Sequence, residues 1–131
     1  MKNTEPAIQP QVVGIILGTE RFEQCVDFYR SKLGLPVWFE KENLVCLHFG
    51  SGYLMIETGG VARESRKSNH ENPTMLRFNV TDVESSATNL RDLGIDVDVN
   101  YFDWGTVATF IDPDGNACEL KDSDDPFFNC P

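Results

Sequence analysis

The sequence predicts an α+β protein in which one unit, a strand, a helix and three further strands (βαβββ), occurs twice. Two observations carry that prediction. The helix ends Leu33-Gly34-Leu35 and Leu93-Gly94-Ile95 match, 60 residues apart, and three strand-like runs follow each of them. The second unit also contains Asp112-Pro113-Asp114-Gly115, which carries the chemistry of a tight turn. Proline presets φ, the aspartates bond nearby backbone N–H groups, and glycine accepts φ > 0. Apolar runs flank that turn, so it reads as a β-hairpin. On its far strand Cys118 and Leu120 face one side of the sheet and Glu119 the other.

Each element follows from local pattern. Residues 1–10 hold Pro6 and Pro10 without periodicity and read as a loose arm. The β-branched run 12–17 is a first strand, after which Thr19 opens a helix. Phe22, Cys25, Val26, Tyr29 and Leu33 form its apolar stripe at helical spacing, and Gly34 and Pro36 stop it. Strands are expected at 37–41, 44–49 and 53–58, punctuated by Glu42-Asn43 and Gly50-Ser51-Gly52. A polar linker with Arg63, Arg66, Lys67 and His70 leads to a strand at 74–80. Thr81-Asp82-Val83-Glu84 is a capping-box signature for a second helix, whose apolar face is Val83, Ala87, Leu90 and Leu93. Strands at 95–101, 106–111 and 116–121 complete the unit. The chain thus reads as a single domain: module one at about 11–59, linker 60–73, module two at about 74–122, and an acidic, then aromatic tail 123–131 with Phe127 and Phe128.

Composition narrows the function classes. A chain of 131 residues, 40% of them hydrophobic, suits one globular core. No run approaches the roughly 18 apolar residues of a membrane span. Met1-Lys2-Asn3-Thr4-Glu5-Pro6 lacks an apolar signal core, so a cytoplasmic protein is expected, without a membrane partner. The net charge of −10 opposes binding to a nucleic-acid backbone. It suits a cationic ligand, and solubility alone explains it equally well. Cys25, Cys46, Cys118 and Cys130 lack Cys-x-x-Cys spacing, which fits reduced thiols rather than a zinc or disulfide framework.

Within this repeat stand Asp27-Phe28-Tyr29-Arg30 before Leu33-Gly34-Leu35-Pro36, and Asp112-Pro113-Asp114-Gly115-Asn116 before Cys118-Glu119-Leu120. In this the chain resembles the vicinal oxygen chelate superfamily, which includes glyoxalase I, bleomycin- and fosfomycin-resistance proteins and extradiol dioxygenases. The resemblance spans about residues 11–122. It implies two βαβββ modules, usually assembled with a second chain as a homodimer, whose cup-shaped mixed β-sheet encloses a cleft. In metalloenzyme members the cleft holds a divalent ion on the first and last strand of each module, through His or Gln and then Glu. The matching positions here are Gly14, Glu57, Met75 and Glu119. Glycine offers no donor, and a thioether suits hard or borderline ions poorly. Two carboxylates fall short of the three protein ligands that Zn²⁺, Ni²⁺ or Fe²⁺ normally take. Mg²⁺ or Mn²⁺ on Glu57, Glu119, waters and substrate oxygens stays open.

Alternation adds further candidates. Tyr53 and Met55 share the face of Glu57, and Lys121 that of Glu119. Met75, Arg77 and Asn79 form one face, while Leu76, Phe78 and Val80 pack toward the helix. An arginine on a concave sheet face needs an anion, either Glu57 or Glu119 in a structural pair or an acidic group of a ligand. A two-residue turn at Gly50-Ser51 or Ser51-Gly52 brings His48 to the face of Tyr53, as a general base, a substitute ligand or an ordinary half-exposed histidine. Trp104, with Tyr101, Phe102 and Trp38, suits a pocket wall, a dimer interface or core cover.

Two readings of function follow. The leading one is a small-molecule-binding or resistance-type protein with a depleted metal site, needing no cofactor. The alternative is a divergent metal-dependent lyase or dioxygenase of the glyoxalase I type. There Glu57 and Glu119 hold a Mn, Mg, Ni, Zn or Fe ion, and His48 supplies a nitrogen.

Overall fold

A computed structural model describes residues 6–123. The first strand, β1 (Gly14–Thr19), is followed by α1 (Phe22–Val26), which widens into a π-helix over Asp27–Lys32. Then come β2 (Val37–Lys41), β3 (Leu44–Phe49) and β4 (Gly52–Thr58). The second half repeats the order with β5 (Leu76–Val80), α2 (Val83–Asp92), β6 (Asp98–Phe102), β7 (Gly105–Ile111) and β8 (Ala117–Asp122). The strands form two four-stranded mixed sheets, ordered β1-β4-β3-β2 and β5-β8-β7-β6. In each, the outer strand before the helix runs parallel to the last strand and the other pairs are antiparallel. This is the βαβββ repeat that the sequence predicts. The tail residues Phe127, Phe128 and Cys130 lie outside the described residues.

Several boundaries differ from the expected ones. Thr19 does not open the helix: it ends β1, paired with Thr58, and its hydroxyl donates to the Glu57 carbonyl at 2.9 Å. The stripe Phe22, Cys25, Val26, Tyr29 and Leu33 does pack on the core, but the helix widens within it, and Leu33 N–H reaches Phe28 O at 2.9 Å. The cap of α2 is Asp82, which accepts from Ser85 N–H at 3.0 Å.

One face of each sheet is buried against the helices. Leu54 and Ile56 of β4, Val45 and Leu47 of β3, and Cys118 and Leu120 of β8 all join one core with Phe28, Ala87 and Leu90. The modules meet through this side, where the rings of Phe49 and Phe78 lie 5.2 Å apart and those of Phe28 and Phe110 6.0 Å. The other face of each sheet is open. Exposed there are Ile16, Trp38, Phe39, Phe102 and Trp104. Among the described residues, no helix is long and apolar enough to cross a membrane.

The Asp112–Asn116 turn locks the two modules together. Asp112 Oδ1 accepts from the N–H groups of Asp114 and Asn116, each at 2.9 Å, and Oδ2 from Asn116 Nδ2 at 2.9 Å and the Tyr29 hydroxyl at 2.6 Å. Asp114 holds the turn that leads into α1, accepting from Glu20 N–H at 2.8 Å and Arg21 N–H at 2.9 Å. The linker docks on the same turn, with Arg63 N–H on Asp114 O and Lys67 N–H on Gly115 O, both 2.9 Å. Burial pushes the Tyr29 phenol well above its ordinary pKa and the Cys118 thiol up to about 12. Burial and nearby Asp112 and Asp114 raise Cys25 as well. Burial thus disfavours the thiolate, the nucleophilic form, at both cysteines.

Candidate functional site

The candidate residues divide between the two open sheet faces. On the first sheet, alternation leaves Tyr53, Met55 and Glu57 half-buried on the open side while Leu54 and Ile56 are buried. The turn between β3 and β4 is Gly50-Ser51, because Phe49 pairs with Gly52. His48 therefore stands directly opposite Tyr53, on the expected face. Its ring stacks on Trp38, with centroids 5.2 Å apart and planes 11° from parallel. The Tyr53 ring meets the same indole edge-on at 5.9 Å. Glu57 lies further along this face, opposite Leu44.

The position of Trp38 depends on an irregularity that a single strand does not announce. Val37 pairs with Leu47, and Phe39 with Cys46, so the register shifts at Trp38. A bulge of this kind turns two consecutive side chains to one side. Trp38 and Phe39 thus both stand on the open face, where strict alternation would turn one of them away. The only sequence signal is a pair of adjacent aromatics in a strand where alternation predicts one.

On the second sheet Arg77 and Glu119 are cross-strand partners. Arg77 Nε donates to Glu119 Oε1 at 2.5 Å, and the carboxylate side chain is 8% exposed against 44% for the arginine. Thr109 flanks Glu119 from β7. Two residues along β8, Lys121 is 1% exposed, with its ammonium 2.9 Å from Asp122 Oδ1 and 5.6 Å from the centre of the Trp104 ring. That cation–π contact closes an aromatic step, because Trp104 lies on Phe102 at 4.7 Å, with planes 3° apart. Gly105 makes the arrangement fit: its φ is +145°, and a Cβ there would lie 2.4 Å from Lys121 Nζ. The hydrogen bond between Lys121 and Asp122 holds the Asp122 carboxyl below its usual range.

Three candidates stand differently from the rest. Tyr101 turns to the helix side, where its hydroxyl bonds Glu84. Met75 lies just before β5 rather than within it, half-buried. Asn79 is exposed, two residues along from Arg77 and opposite Lys121. The structure thus groups Trp38, His48 and Tyr53 on one sheet, and Arg77, Glu119, Lys121, Phe102 and Trp104 on the other.

The four positions that hold a metal in the resembling metalloenzymes do not fit one here. Gly14 is not an empty slot: a Cβ built on it would lie 2.2 Å from the Tyr53 ring, which fills that space. Glu119 is engaged by a guanidinium, whose positive charge opposes a cation beside it. However the two modules are paired, Gly14, Glu57, Met75 and Glu119 supply two carboxylates and no imidazole. Among the described residues, no group of three or more His, Cys, Asp or Glu side chains is arranged to hold an ion.

A family model described as the Glyoxalase/Bleomycin resistance protein/Dioxygenase superfamily matches residues 11–120. The uncharacterized protein YraH of Bacillus subtilis (strain 168) is 31% identical over 113 residues, 76% of this chain and 88% of that one. Lactoylglutathione lyase from Agrobacterium tumefaciens superposes with a TM-score of 0.68 at 21% identity, over 87% of this chain and 95% of its own. TnmS3, an antibiotic binding protein from Streptomyces sp. CB03234, superposes with a TM-score of 0.67 at 22% identity, over 90% of this chain and 98% of its own. At such identities the structural likeness is one of fold.

Proposed function

The chain belongs to the glyoxalase/bleomycin resistance protein/dioxygenase superfamily, and from that premise we propose that it binds a small, planar organic molecule without a metal ion. The observation that carries this reading is the exchange at the metal positions. Donors are missing at Gly14 and Met75, and Glu119 is bonded to Arg77, while Trp38, Tyr53, Phe102 and Trp104 supply flat surfaces on the two open faces. Such surfaces bind planar ligands by stacking and by burial of apolar area. The fold shared with TnmS3, an antibiotic binding protein, is in keeping with this use.

In this reading a second copy of the chain covers the open faces, bringing the Trp38–His48–Tyr53 face of one protomer against the Arg77–Glu119–Trp104 face of the other. Exposed Trp38 (46%) and Trp104 (54%) are large apolar surfaces of the kind that interfaces and ligand walls cover. Three free, buried cysteines, Cys25, Cys46 and Cys118, agree with a cytoplasmic protein.

The test is tryptophan fluorescence during titration with a panel of uncharged planar aromatics, run in excess chelator, with light scattering to read the mass. Saturable quenching that chelator leaves unchanged, on a particle of twice the chain mass, is the expected result. Quenching that vanishes with chelator would restore the metal-dependent reading, and no saturable quenching across the panel would remove the binding reading.

A further inference from the structure

We propose that Arg77 selects the ligand, and that the ligand is a planar aromatic molecule bearing a carboxylate. The inference rests on the aromatic cleft proposed above and adds the charge of what enters it. Arg77 uses only Nε to hold Glu119, and its Nη1 and Nη2 groups make no hydrogen bond among the described residues. The pair is asymmetric: the Glu119 side chain is buried at 8% exposure, whereas the Arg77 side chain is 44% exposed. Glu119 therefore fixes the arginine through Nε, and the Nη edge of the fork remains for a second carboxylate. That edge presents two parallel N–H donors, which match a carboxylate in bidentate geometry.

The surroundings favour an anion at this point despite the acidic chain. Arg77 and Lys121 bring two positive side chains to this face, paired with Glu119 and Asp122, in a chain that carries −10 overall. Asn79, next to Arg77 on the same face and opposite Lys121, adds an exposed amide donor. Phe102 and Trp104 lie beyond Lys121 on that face, so a ligand whose acid meets Arg77 can direct its ring toward their stacked surfaces. A structural ion pair would account for Nε alone. It gives no use for the Nη edge, which has no partner among the described residues.

The experiment compares three probes of one shape, 2-naphthoate, 2-naphthalenemethanol and 2-naphthylmethylamine, by calorimetric titration of the full chain, Arg77→Gln and Arg77→Lys. The wild-type protein is expected to bind naphthoate about tenfold or more tighter than the alcohol, as a charge-assisted pair adds to a shared ring contact. In Arg77→Gln the ratio falls to about one, and a native circular dichroism spectrum with a cooperative thermal transition shows that the variant is folded. In Arg77→Lys, which keeps the charge and loses the fork, the ratio is intermediate. Equal binding of all three probes by the wild type, tighter binding of the amine, or an acid preference that survives in Arg77→Gln overturns the proposal while leaving the aromatic cleft in place. Binding of none of the probes overturns the cleft and this inference together.

Discussion

Replacing Asp112 by alanine is expected to lower the free energy of unfolding by about 3–5 kcal/mol, the range for breaking a buried charged network. The carboxylate is 2% exposed and accepts four hydrogen bonds, three within its own turn and one from Tyr29 in the other module. Removing it leaves two backbone N–H groups, an amide and a phenol without their acceptor in a site closed to water. Each such loss costs about 1–3 kcal/mol before relaxation. Tyr29→Phe removes the bond to Asp112 and the weaker contact with Cys118 Sγ at 3.5 Å, and is expected to cost about 1 kcal/mol. Urea denaturation followed by circular dichroism checks both. A loss below about 1 kcal/mol in Asp112→Ala would show that the turn is not the lock described above.

Gly115→Ala is the second large effect, on the order of 3 kcal/mol. Gly115 has φ +88°, a region that disfavours any residue with a Cβ, and a Cβ there would lie 2.5 Å from Ser65 O and 2.9 Å from Arg63 O. Those atoms are backbone and cannot swing aside as a side chain can. The substitution therefore displaces the linker, breaking Arg63 N–H to Asp114 O and Lys67 N–H to Gly115 O. Limited proteolysis is expected to cut the variant within 61–72 much faster than the wild type, because local opening governs cleavage. Equal cutting rates would contradict the docking of this segment on the turn.

These two residues show what was legible in the chain and what was not. The Asp112–Gly115 turn is readable because its chemistry is local, and so is the alternation that turns Glu119 away from Cys118 and Leu120. The partners of the turn are not readable. Nothing near Asp112 in sequence points to Tyr29, 83 residues away, or to Glu20 and Arg21 just before α1, whose N–H groups donate to Asp114. The linker shows the same limit: its composition is that of an open connector, yet its backbone pairs with Asp114 and Gly115.

The candidate site divides along the same line. Period two with a two-residue turn puts His48, Tyr53, Met55 and Glu57 on one face and leaves Glu57, Glu119 or a ligand anion as the partner of Arg77, and in the structure Arg77 meets Glu119. Trp38 needed the register shift of β2 against β3, a property of two strands together. The contact of Lys121 with Trp104 joins β8 to the β6–β7 hairpin, with Gly105 making room, and β8 alone does not announce it. The glycine at position 14 reads in sequence as a missing ligand. In space it is the seat of the Tyr53 ring.

The central claim, a ligand cleft that works without a metal, is tested most directly by calorimetric titration of the untagged protein with Mn²⁺, Ni²⁺, Zn²⁺ and Fe²⁺, alongside Glu57→Ala/Glu119→Ala. The expected result is no stoichiometric binding tighter than about 10 μM, roughly −7 kcal/mol, and the same weak heats in both proteins. Stoichiometric binding tighter than that, abolished in the double variant, would contradict the claim and return Glu57 and Glu119 to the role of metal ligands.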